Sequence, residues 1–236
     1  MAATDRKRPR PAAEDWKEKE MTKRKILEYG GVAAGVVMIA IGVVSLVLAI
    51  NGRSEVRSSL KQEAIVGSPD MTPDAIATEA KEAGLPASIK LPTCNVADQA
   101  IDTGSEAKCF AQYMRIHALE STGGLTYAQM GRFQSAANPD DPAGTSDEAA
   151  AAKDENGQPI SNGARNVWVT ETALSTALNV SFLAENIAMF GVVVGIALLL
   201  AGIGFMILAL GGALRRQQAN ADVRVAAGPT AATATQ

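Results

Sequence analysis

Histidine is nearly absent from this chain: among 236 residues there is one, His117. A zinc site built on two or three histidines, or the two-histidine, one-carboxylate iron site of oxygenases, therefore needs residues from another copy. Cysteine is almost as scarce, with only Cys94 and Cys109. There is no paired zinc motif, no phosphate-binding glycine loop and no nucleophile elbow. No cofactor is expected on these grounds. Charge is missing in a more organised way, from two continuous stretches of 22 residues (29–50) and 29 residues (186–214).

Those uncharged stretches are the dominant feature of what is present. At about 1.5 Å per residue, each exceeds the roughly 30 Å hydrocarbon thickness of a bilayer, so each is long enough to span as a helix. Neither holds an ionisable group near its middle, and Ser45 is the only hydroxyl well inside. Translocation normally uses polar or ionisable groups at mid-membrane. A channel would require an oligomer lined by backbone and small residues.

The net charge of -3 conceals an asymmetry. Residues 1–28 carry nine Lys or Arg against six acids, residues 51–185 ten against eighteen, and residues 215–236 three against one. Lys17, Lys19, Lys23, Arg24 and Lys25 precede the first run, and Arg215 and Arg216 follow the second. Basic residues near span ends stay cytoplasmic, so both termini are expected inside a bacterial plasma (inner) membrane and the acidic centre outside. The basic start, including Arg6, Lys7, Arg8 and Arg10, reads as a tail near anionic lipid in preference to a nucleic-acid contact, and Trp16 as an interface residue. The competing interpretation of the first run is a cleaved signal. It is disfavoured by the long core and the 28-residue leader, since signal cores run about 7–15 residues.

Both cysteines fall in the segment assigned to the exterior. An oxidising compartment favours a Cys94–Cys109 disulfide, with two buried thiols as the alternative. Helix signals surround them. Val56, Leu60 and Ala64 extend the first span into a stalk. Thr72 caps a helix over 73–83, with Pro73 at its first position and Gly84 as its stop. Ser105 caps a second helix, 106–122, which places Phe110, Tyr113, Met114, His117 and Ala118 on one face. Thr126 and Gln129, with Met130, Phe133 and Ala137, predict a third after the Gly123–Gly124 turn. Residues 138–164 read as a mobile acidic loop. From Thr170, Leu174, Leu178 and Phe182 lead without interruption into the second span, and the chain from about Gln217 reads as disordered.

The spans share a glycine spacing: Gly31, Gly35 and Gly42 match Gly191, Gly195 and Gly202. Such stripes let helix backbones approach closely. Antiparallel spans of one chain are expected to bring glycines together only near the middle, around Gly42 and Gly202. A second copy in parallel would align the whole stripe, and self-association through a span follows as an expectation. The alternative is that glycine is simply common in membrane helices.

His117 is the only candidate for acid–base chemistry. It sits near a helix C-terminus, with Tyr113, Glu120 and Ser121 as possible partners, against the alternative of a packed structural residue. Asp140, Asp141, Asp147, Glu148, Asp154 and Glu155 lack the spacing of an EF-hand loop and read as a solvated charge run, so no metal ligand set is expected.

The segment His117–Gln129 (His-Ala-Leu-Glu-Ser-Thr-Gly-Gly-Leu-Thr-Tyr-Ala-Gln), with Asn179–Leu183 leading into a glycine-rich span, resembles a group of uncharacterised two-span bacterial membrane proteins over residues 94–212. Some of that group carry the label of an aromatic ring-opening dioxygenase, whose metal ligands a lone histidine cannot supply. The resemblance implies topology and assigns no functional residue. The expected architecture is all-α: two transmembrane helices flanking a mainly helical extracytoplasmic domain, with stalks extending from the spans. The expected role is a non-enzymatic envelope scaffold, sensor or accessory subunit contacting lipid and a protein partner. The alternatives are a tethered enzyme using His117 and a small oligomeric channel.

Overall fold

The computed structural model describes residues 12–226, with side chains described for 25–211 apart from Leu27. The basic tail at 1–11 and the side chains of Trp16, of the lysines and arginine at 17–24, and of Arg215 and Arg216 lie outside that description. Four α-helices, α1 (Ala12–Gln62), α2 (Pro73–Glu82), α3 (Gly104–Ser121) and α4 (Gly163–Ala226), are joined by irregular segments and one 3-10 turn, Tyr127–Gln129. Among the described residues there is no β-strand, and the fold is all-α. The chain divides into two compact units: one holds the start and end of the chain through Leu48 and from Gly191, the other residues 49–190.

Within the first unit, α1 and α4 are each long and apolar enough to cross a membrane, and the most apolar window of each is only 17% and 11% buried. A core helix of a soluble protein would bury most of that surface. Val36, Val37, Leu48, Leu200 and Leu208 are all exposed, the arrangement a span facing lipid would require. α4 does not stop at Leu214 but continues to Ala226, a correction to the expected disordered tail. The reason is local: alanine, arginine and glutamine favour helix, and the next breaker is Gly228.

The second unit is a helical domain with its core around α3. Ile76 and Ala80 of α2, Ile101, Phe110, Tyr113, Ile116 and Leu119 on and before α3, and Trp168 and Leu178 of α4 form one buried cluster, joined by Leu60 of α1. α2 forms as its signals dictate: the Thr72 side chain accepts from the Ala75 N–H at 3.2 Å, and Gly84 takes a positive φ of 65°. α3 begins earlier than expected. Its cap is Thr103, not Ser105, with Glu106 completing a capping box by accepting from the Thr103 N–H at 2.9 Å. The Cys94–Cys109 disulfide ties the segment before α3 to its second turn, and the Tyr113 hydroxyl donates to the Cys94 carbonyl at 2.6 Å.

The helix expected at 126–137 is reduced to the 3-10 turn, in which Gln129 Oε1 accepts from both the N–H and the hydroxyl of Thr126 at 2.8 Å. Beyond it the backbone is engaged elsewhere. Phe133 exchanges hydrogen bonds with Thr145, Gln134 donates to Ile160, Ala152 donates to Gln134, and Asn162 donates to Arg132. The acidic segment expected to be a mobile loop is thus laced to residues 131–136 by backbone hydrogen bonds while its side chains stay mostly exposed. Gly131 permits this, because a Cβ there would collide with the backbone of Thr145.

Candidate functional site

The glycines of the two spans meet one another, but not where the sequence suggested. A Cβ placed on Gly35 would lie 2.8 Å from the Gly202 carbonyl oxygen, and one on Gly42 would lie 2.9 Å from that of Gly195. The reverse contacts are equally tight, Gly202 to Gly35 at 2.8 Å and Gly195 to Gly42 at 3.0 Å. Gly42 therefore packs on Gly195 and not on Gly202. Two glycines seven residues apart form the same pattern read in either direction, so an antiparallel pair aligns both at once, one on each side of the crossing. Gly31 faces the Ala209 methyl, and Gly191 is half-buried. All four central glycines are buried, and the burial pattern of residues 31–42 repeats at 191–202. This seam is the close backbone packing that lipid cannot supply.

In the second unit, Glu185 of α4 is held at the centre of a polar clamp. One of its oxygens accepts from Arg53 Nε at 2.8 Å and Arg57 Nε at 2.9 Å, and the other accepts from the Gly104 N–H at 2.6 Å. The carboxylate thus satisfies the first free N–H of α3 and neutralises charge on α1 together. Gly104 lets α4 approach: a Cβ there would sit 2.8 Å from the Phe182 Cα. At the far end of the unit, Trp168 Nε1 donates to the Leu125 carbonyl at 2.8 Å and lies 3.2 Å from Thr122 Oγ1, pinning α4 to the turn after α3.

His117 does not pair with the residues expected. Tyr113 is committed to Cys94, Ser121 Oγ donates to the Ala118 carbonyl at 3.0 Å, and Glu120 is exposed. Burial also pushes the Tyr113 hydroxyl above its ordinary range, which makes it a weaker acid. His117 Nε2 instead faces Asp70 Oδ2 at 3.4 Å and Glu79 Oε2 at 3.6 Å. Neither contact has hydrogen-bond geometry, and His117 Nε2 and Asp70 Oδ1 are shielded from solvent without a hydrogen-bond partner. One donor atom from each of the three residues lies within 4.8 Å of the others.

Three different elements deliver this cluster. Asp70 lies in the turn closed by the Met71 N–H to Ser68 carbonyl bond. Glu79 follows the buried Ile76 by three residues on α2 and so borders the stripe turned toward α3, and His117 projects from α3. Burial, then the Asp70 carboxylate, push the Glu79 carboxyl above its ordinary value of 4.5; His117 opposes this, and Glu120 and Glu82 add to it. His117 also borders an open cleft of about 490 Å³ lined by Met114, Ser121, Asn166 and Glu171. The sequence isolated His117 but gave no signal for Asp70 or Glu79, which are 47 and 38 residues away and come near only through the packing of α2 on α3.

Comparison of the chain with protein-family models, curated proteins and solved structures yields no match.

Proposed function

We propose that this chain is a non-enzymatic membrane protein of the bacterial cell envelope, anchored by two spans, that presents a disulfide-clasped helical domain on the outer face to a protein partner or an external signal. The observation that carries this reading is the pair of exposed apolar helices joined by reciprocal glycine contacts. A removed signal segment would have no use for a backbone-matched seam with the second span, which favours a retained anchor over a leader. The Cys94–Cys109 disulfide favours an oxidising compartment for residues 51–185. The acidic balance of that segment against its basic flanks supports cytoplasmic termini. The resemblance to two-span bacterial proteins agrees in topology.

The seam alters the expectation of self-association. Gly35, Gly42, Gly195 and Gly202 of the six-glycine pattern are covered by the chain's own other span, which favours other residues as the contact with any second copy. A membrane-impermeant protease added to intact spheroplasts tests the orientation. Cleavage within residues 137–160, with epitope tags at both ends protected, is the expected result. Loss of the tags with a protected centre overturns the topology.

A further inference from the structure

We propose that Asp70, Glu79 and His117 form a binding site for a divalent transition-metal ion of the zinc type, held by one imidazole nitrogen and two carboxylate oxygens. This goes beyond the anchoring role, and it uses none of the residues on which that role rests.

The spacing of the donors is the first argument. With zinc–nitrogen and zinc–oxygen bonds of about 2.0–2.1 Å, two ligands of a tetrahedral ion stand roughly 3.3–3.4 Å apart. The imidazole nitrogen stands 3.4 Å from the Asp70 oxygen and 3.6 Å from that of Glu79. A protonated histidine bridging two carboxylates is the competing arrangement. Its charge-assisted hydrogen bonds would be about 2.7–2.9 Å long and aligned, and neither contact here meets that geometry.

Satisfaction of the polar atoms is the second argument. His117 Nε2, the atom that faces both carboxylates, is out of contact with solvent and lacks a hydrogen-bond partner, an arrangement that costs free energy unless something else occupies its lone pair. Side-chain exposures of 26% for His117, 27% for Glu79 and 40% for Asp70 leave the cluster reachable by an ion and by a solvent ligand in a fourth position.

Charge and ligand type choose the ion. Two carboxylates close together, with Glu120 and Glu82 nearby, repel one another, and a dication removes that repulsion. Calcium takes six to eight oxygens, and magnesium prefers an octahedral shell rich in water, whereas imidazole with carboxylate suits zinc. Closure of the disulfide removes both thiols of the chain as softer competitors. The ion would fasten the turn at Asp70 and helix α2 onto α3 at a point where the protein supplies no hydrogen bond of its own.

The test is calorimetric titration of zinc chloride into the chelator-treated full-length protein in detergent, purified without a polyhistidine tag. One ion per chain is expected, with at least about tenfold weaker binding in Glu79→Gln and in His117→Ala, since loss of a ligand costs no less than loss of a residue that merely orients one. Asp154→Asn, in the exposed acidic segment, should bind like the wild type. X-ray absorption of the zinc-loaded wild type requires no variant to fold, and should show one imidazole among nitrogen and oxygen ligands. Absence of stoichiometric uptake, binding retained in both variants, or a zinc shell without imidazole would each overturn the site.

Discussion

The same two helices, α1 and α4, are held together by different physics in the two units. Between the spans, backbone is set against backbone at Gly35–Gly202 and Gly42–Gly195, with the Ile39, Leu46, Leu199 and Met206 side chains packed around the contacts. In residues 49–190, the contacts between the two helices and their neighbours are polar and specific: Glu185 between two arginines and the start of α3, and Trp168 on the turn after it. Lipid gives apolar side chains no reason to leave it, so two helices that span as we propose would associate through fit alone. Water rewards burial of Ile76, Ile101 and Tyr113, and it demands that every buried polar group find a partner. The seam is consequently symmetric and repetitive, whereas the unit of residues 49–190 is built of unlike parts.

This contrast can be broken from either side. Replacing both Cys94 and Cys109 with serine should have the largest effect, lowering stability of the unit of residues 49–190 by about 2–5 kcal/mol. Hydrogen exchange should accelerate across α2 and α3 and leave residues 31–48 unchanged; equal acceleration in both units would mean that they do not unfold separately.

Glu185→Ala comes next, at about 1.5–3 kcal/mol for a carboxylate with three charge-assisted hydrogen bonds, at the lower end because Arg53 and Arg57 are 38% exposed. The start of α3 should fray, seen as faster exchange at Gly104 and Ser105. Gly202→Leu should strike only the spans. An isobutyl group driven at the Gly35 carbonyl is a form of overpacking, costing about 1–3 kcal/mol. Disulfide trapping between cysteines introduced at Gly31 and Ala209, which face one another, should respond to it, while thermal unfolding of residues 49–190 stays in place.

The smallest effect concerns Glu79. In the metal-free protein its carboxyl titrates above 4.5, because burial and Asp70 outweigh His117. The native state therefore holds this proton more tightly than the unfolded chain. Stability from that source is full below pH 4.5 and is lost as pH rises through the native value. Thermal melts of chelated wild type and Glu79→Gln from pH 7 to pH 4 should show the wild type gaining on the variant as pH falls. A difference independent of pH would remove Glu79 from this role.

The legibility of the chain follows the range of the interactions. α2 was readable because Thr72, Pro73 and Gly84 act on their immediate neighbours. The cap of α3 was misplaced by two residues, because Thr103 and Ser105 offer similar oxygens and the choice rests on Glu106 reaching back to Thr103. The helix expected after Thr126 has a local pattern that loses to distant pairing with Thr145 and Ile160. Asp70 and Glu79 escaped notice for the same reason, since no spacing announces a contact made between two helices.

By itself, the sequence determined that two uncharged stretches are long and apolar enough to span a bilayer as helices, because a spanning backbone must satisfy itself, and that their glycines must line one face, because periodicity is a local property. Only the tertiary structure decided which glycine meets which, what lies against His117, and how the acidic segment closes on itself. Those outcomes depend on crossing geometry and on competition between remote partners, and neither is written into any short stretch of chain.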